Sequence, residues 1–182
     1  MPFLIEVAVE LVSHFPPGDE DKSQELTLGL LRHTPDPLSR HQFLPGHLTC
    51  TGIVLHPDRE SFLLIHHQRL DRWLAPGGHV EADDDSPRAA AAREVREETS
   101  VIAQPGEMFL AGIDVHGIPP KGTEPYHLHH DLKFGLLASG VDLQLSSETK
   151  GVLWCHFDQA KKYGVPDSIS RAARRTLSYY SQ

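Results

Sequence analysis

Cysteine is scarce in this sequence: Cys50 and Cys155 are the only two in 182 residues. Two thiols cannot build a disulfide scaffold, so a reducing, cytoplasmic setting is expected and folding is left to burial. Basic residues are also few, 17 Lys and Arg against 25 Asp and Glu, for a formal net charge of −8. That deficit argues against a nucleic-acid duplex or an anionic membrane surface as partner. No apolar run approaches the ~18 residues needed to span a bilayer. The first fifteen residues lack a basic start and carry Glu6 and Glu10, which does not suit a signal peptide. Aromatic residues amount to 7% and nowhere alternate with basic ones as in a single-strand binder. There is no internal repeat and no low-complexity tract. What is present, 39% hydrophobic and 23% charged residues, fits one soluble globular domain long enough to bury a core.

Apolar spacing predicts a helix over residues 3–15, carried by Phe3, Leu4, Val7, Leu11, Val12 and Phe15 and ended by Pro16, Pro17 and Gly18. A second helix is expected from Asp19, Glu20 and Asp21, whose carboxylates suit the positive end of a helix dipole. Its stripe reads Leu26, Leu28, Leu30 and Leu31, and Pro35 and Pro37 stop it. Residues 1–40 therefore read as a helical arm, and 41–182 as the main domain. Leu48–Leu55 and Ser61–His67 suggest a hairpin around His56, Pro57, Asp58 and Arg59. A Gly-rich turn at Pro76, Gly77 and Gly78 leads to a helix from about Pro87 to Thr99. Further strands are expected at Phe109–His116, His127–Ala138 and Lys150–Phe157, with helices near Asp158–Tyr163 and Asp167–Tyr180. Strands mixed with one central and several peripheral helices predict an α/β layered domain.

The chemistry lies in the helix that Ser86 and Pro87 begin. Ser is a good N-cap, and Pro suits the first helical position. At 100° per residue, Glu94, Glu97 and Glu98 fall within an arc of about 100°. Val95, Ala91, Ala92 and Thr99 make a small-residue face for packing on a sheet. Three carboxylates on one face near a helix C-terminus repel one another and the dipole. Arg93 and Arg96 offset part of this, and a hard divalent cation taking oxygen ligands would offset more. A solvated acidic face is the alternative.

Placed after the Gly-rich turn, this segment resembles the signature of the Nudix hydrolase family. The family pattern is Gly, five residues, Glu, seven residues, then Arg-Glu-apolar-x-Glu-Glu-x-Gly-apolar. Arg93, Glu94, Val95, Glu97, Glu98 and Val101 match it. Asp85 stands where the first Glu is expected, with six residues between it and Gly78 instead of five, and Ser100 replaces the final Gly. The resemblance covers roughly residues 46–165. It implies a Nudix fold, a mixed sheet between helices, with Asp85 bracing Arg93. It further implies Mg²⁺ or Mn²⁺ held by Glu97, Glu98, Glu94 and the Gly77 carbonyl, with Arg93 orienting a glutamate. The implied reaction is hydrolysis of a diphosphate bond in a nucleoside diphosphate linked to another moiety, with Glu94 or Glu148 as base. Two other functions stay open: a nucleotide-binding module without catalysis, and an isopentenyl-diphosphate isomerase-like enzyme.

Thirteen histidines form the second unusual feature. On a strand with a period of two, His127, His129 and Asp131 share one face. They are candidates for substrate contact or a further metal, with a hydrogen-bonded strand face as the alternative. His79 and Arg72 are further substrate candidates. Arg171, Arg174 and Arg175 read as a small solvated basic face. The expected partner is a small-molecule diphosphate, and a homodimer stays open.

Overall fold

The computed structural model describes residues 2–104, 108–147 and 149–182. Its centre is strand β1 (Gly46–Leu55), a long β-branched and apolar segment buried along almost its whole length. β2 (Ser61–His67) turns back antiparallel to it and meets it at Leu55 and Phe62. β3 (Arg72–Leu74) continues the sheet beyond β2. β4 (Gly77–His79) pairs with the other half of β1, through Thr49, Cys50 and Thr51. The Gly-rich turn of the sequence is thus itself a short strand. Two glycines in three residues hide it from β propensity, and pairing with β1 supplies what propensity lacks.

After β4 comes the helix that carries the carboxylates, designated αC (Pro87–Thr99), with the bounds the sequence predicts. The Ser86 hydroxyl accepts from the Ala89 amide at 3.1 Å and caps it. At its end Ser100 adopts φ 62°, so the position held by Gly in the signature keeps its left-handed conformation without Gly. β5 (Phe109–Ile118) and β6 (His127–Leu137) form an antiparallel pair. β6 then runs parallel to β1 over its full length, from Gly46 beside Leu128 to Leu55 beside Leu137. β7 (Thr149–His156) pairs with β2.

Two N-terminal helices, αA (Pro2–Ser13) and αB (Asp21–His33), share the core of one sheet face. There Leu4, Ala8, Val12 and Leu31 meet Leu48, Cys50, Leu132, Phe134 and Ala91 of αC. αC seats closely because a Cβ at Gly52 would overlap Val95. The C-terminal helix αD (Asp167–Tyr180) covers part of the opposite face, packing Ile169, Ala172 and Ala173 on Ile53, Leu55 and Phe62. This is the mixed sheet between helices that the resemblance implies, and the layered α/β domain that the residue pattern predicts.

Three local expectations change. Residues 157–164 form successive turns ending at Gly164, φ 64°, in place of the helix expected near Asp158–Tyr163. On αB Leu30 and Leu31 are buried as expected, but the third buried residue is Thr27, bonded to His130 at 3.2 Å, while Leu26 is exposed. The basic face is not solvated throughout: Arg175 and Arg171 reach the buried Glu20 carboxylate beside αB. An interior carboxylate draws cations to it, since an unpaired charge there is costly.

Candidate active site

One guanidinium organises the acidic helix. Arg93 donates through Nε to Asp84 at 3.0 Å, and through Nη2 to Asp84 and to the His79 carbonyl, both at 2.9 Å. Its Nη1 donates to Glu94 at 2.9 Å and to Glu97 at 3.0 Å. Five donors in a planar fork thus hold three carboxylates and one backbone carbonyl, an arrangement that lysine cannot reproduce. The Asp84 hydrogen bonds, foremost, hold the Arg93 pKa above its ordinary range.

The brace is Asp84, not Asp85. The loop folds so that the Glu81 amide donates to Asp84 at 2.8 Å, which turns that carboxylate inward while Asp85 is exposed. Counted from Gly78, Asp84 restores the five-residue spacing of the signature. The extra residue therefore lies between the brace and Arg93, where it lengthens the approach to the helix.

Glu98, 5% exposed, accepts from the Gly77 amide at 2.9 Å and so ties αC to β4. Glu94 lies against Gly78, where a Cβ would come 2.5 Å from its Oε1. Glu97 is exposed to solvent. Glu94, Glu97, Glu98 and Gly77 are therefore drawn together around the junction of β4 and αC. Their donor set is all oxygen, and no side-chain atom at residue 78 separates Glu94 from the strand. That composition fits a hard cation of the Mg²⁺ or Mn²⁺ class. Glu148 lies outside the described residues.

β4 also links the carboxylates to the histidines. The carbonyl of His79 holds Arg93, while its ring faces the other way, with Nε2 at 3.1 Å from Nε2 of His47. The parallel register of β1 and β6 sets His47 beside His129. His127 Nε2 lies 3.3 Å from His129 Nε2. These four rings, with Arg40, Phe43, Arg69, Ile118 and Glu124, enclose a cavity of about 30 Å³. Burial, foremost, lowers the pKa of His47, lowers that of His79 to about 4 and lowers that of His129 further. His47 is the member that the sequence did not single out. Its alternation with Thr49 and Thr51 on β1 was the available signal.

Asp131 shares the strand face with His127 and His129, as predicted, but its carboxylate is engaged elsewhere. It accepts from Thr51 at 2.8 Å and Thr49 at 3.2 Å, and pairs with the buried Lys133 at 2.8 Å. Arg72 stands exposed at the start of β3, opposite His67. Both cysteines are buried, and burial raises the Cys50 thiol pKa well above its ordinary value.

Among the described residues, no helix is long and apolar enough to cross a membrane. A sequence model of the NUDIX domain matches residues 46–176. No curated protein matches the chain. Solved structures do, in fold. An Ap4A hydrolase of C. elegans, solved as a binary complex, is 19% identical with TM-score 0.54, over 74% of this chain and 97% of that one. A MutT protein from Methanosarcina mazei Go1 is 22% identical with TM-score 0.52, over 74% and 95%. The NUDIX domain of Shewanella oneidensis NrtR, complexed with ADP ribose, is 17% identical with TM-score 0.55, over 84% and 96%. The chain belongs to the NUDIX domain family.

Proposed function

We propose that the chain is a metal-dependent pyrophosphohydrolase that cleaves the diphosphate bond of a nucleoside diphosphate linked to another moiety. The observation that carries this reading is the set of five Arg93 hydrogen bonds that gathers Asp84, Glu94 and Glu97 beside Glu98 and Gly77. Left to themselves these carboxylates repel, so an arrangement that holds them together suits a cation that a phosphate substrate shares. In this reading Glu94, Glu97, Glu98 and the Gly77 carbonyl hold Mg²⁺ or Mn²⁺. When bound, such a cation neutralises diphosphate charge and acidifies water.

The chain's own residues do the rest. Arg93 fixes one oxygen of Glu94 and one of Glu97, and Glu98 is oriented by the Gly77 amide. Glu94 is proposed as the base that takes the proton from the attacking water, with Glu148 as the alternative. His79 and Arg72 are proposed as substrate contacts. His127, His129 and Asp131, enclosed or paired, serve as the wall behind them. The nucleotide ligands named for the relatives, Ap4A and ADP ribose, support a nucleotide-linked diphosphate here.

The test is a panel of nucleoside triphosphates, dinucleotides, nucleotide sugars and ADP-ribose with Mg²⁺ or Mn²⁺. Metal-dependent release of phosphate products is expected from at least one compound, with both Glu97→Gln and Glu98→Gln strongly impaired. Turnover that both variants retain contradicts the assignment of residues.

A further inference from the structure

The histidine cavity is built from different chemistry and does something else. We propose that His47, His127 and His129 form a second metal site, for a borderline-soft transition ion of the Zn²⁺ class, separate from the carboxylates. Their ligand nitrogens all lie within 4.8 Å of one another. A tetrahedral zinc at about 2.0–2.1 Å from each nitrogen sets its ligands about 3.3–3.4 Å apart, a spacing that His127 Nε2 and His129 Nε2 already have at 3.3 Å.

Two further observations support a built site. His47 Nδ1 lies 3.1 Å from the Gln42 carbonyl, and His127 Nδ1 lies 2.9 Å from the Pro125 carbonyl. A carbonyl only accepts, so Nδ1 carries the proton in both rings and Nε2 presents its lone pair to the cavity. Backbone carbonyls that fix the tautomer in this way are the usual outer support of metal-ligating histidine. The cavity, about 30 Å³, has room for an ion or a water and none for a nucleoside. No carboxylate stands among the three ligands, and Glu124, the acid at the cavity wall, is paired with Arg69 at 2.8 Å. An all-imidazole donor set selects Zn²⁺, Cu²⁺ or Ni²⁺ over Mg²⁺. His79, whose Nε2 is 3.1 Å from that of His47, borders the site without belonging to the three ligands. A metal here would join β1 to β6.

The proposal is tested on the full chain, stripped with chelator and then titrated with Zn²⁺ against a chromophoric chelator in excess Mg²⁺. One equivalent should bind in wild type and in Glu98→Gln alike. Binding should weaken by more than about 100-fold in His129→Gln and in His127→Gln, since loss of a ligand exceeds loss of its outer support. Circular dichroism of each variant shows that the fold is kept. Co²⁺ bound to the wild-type chain gives a second reading that needs no variant. Intense visible bands of a tetrahedral nitrogen site are expected, and an octahedral oxygen-type spectrum overturns the proposal. No stoichiometric zinc, zinc lost in Glu98→Gln, or zinc retained by a His127→Gln/His129→Gln double variant each overturn it as well.

Discussion

Asp84→Asn takes away the charge that Arg93 holds with two of its donors, at 3.0 and 2.9 Å. The side chains are 6% and 20% exposed, so the pair is shielded from water on the Asp84 side and partly open on the Arg93 side. Breaking a wholly buried pair costs about 3–5 kcal/mol. Here Arg93 keeps Glu94, Glu97 and the His79 carbonyl, so a loss of about 2 kcal/mol is expected, the scale of hydrogen bonds to a charged group. Arg93→Gln removes the cation from three carboxylates and should cost more, about 3 kcal/mol. The two changes touch one interaction, so a double-mutant cycle should show coupling of at least about 1 kcal/mol. Asp85→Asn, at an exposed position, should stay within about 0.5 kcal/mol of wild type. The assay is urea unfolding followed by circular dichroism, with slopes compared to confirm that the transition is unchanged. Equal losses for Asp84→Asn and Asp85→Asn, or a larger one for Asp85→Asn, would show that Asp84 is not the brace of Arg93.

Gly78→Ala places a methyl 2.5 Å from Glu94 Oε1, so the carboxylate must move while the fold, facing only a side-chain end, survives. Hydrolysis should fall about 100-fold with circular dichroism unchanged, as expected for a displaced catalytic group. Asp114 has its pKa lowered, first by the hydrogen bond from His116 and then by the charge of Lys133, with burial acting in opposition. A depressed folded-state pKa means that its stabilisation is complete above the unfolded value near 3.8 and is lost as pH falls below it. Unfolding free energy should therefore drop more steeply below about pH 4 in wild type than in Asp114→Asn. Arg175→Ala leaves the buried Glu20 with Arg171 alone and should destabilise the chain by about 2 kcal/mol in urea unfolding. Glu20→Gln in that background should recover part of the loss.

The elements that sequence reads best are those with a local physical signal. αC has a capping Ser, a Pro at its first position and an alanine run, and its bounds are met at both ends. The β1–β2 hairpin and β6 carry enough β-rich residues to declare themselves. β3 and β4 do not, because three residues rich in Gly, Arg or Trp become strands only through their partners. The brace was displaced by one residue for a similar reason. Asp83, Asp84 and Asp85 are chemically alike, and only the turn closed by the Glu81 amide decides which one points inward. His47 shows the same limit at longer range. Its place beside His129 depends on parallel pairing between strands about 80 residues apart, a register that no local pattern encodes.

If the carboxylates gathered by Arg93 carry a metal-dependent hydrolysis, the reaction must need both the cation and Glu98. The most direct measurement is the Mg²⁺-dependent rate on whichever diphosphate compound the wild type cleaves best, compared between wild type and Glu98→Gln. Turnover should vanish on chelation and fall at least about 100-fold in the variant at saturating Mg²⁺. Turnover that survives chelation, or that Glu98→Gln leaves at the wild-type rate, would contradict this requirement.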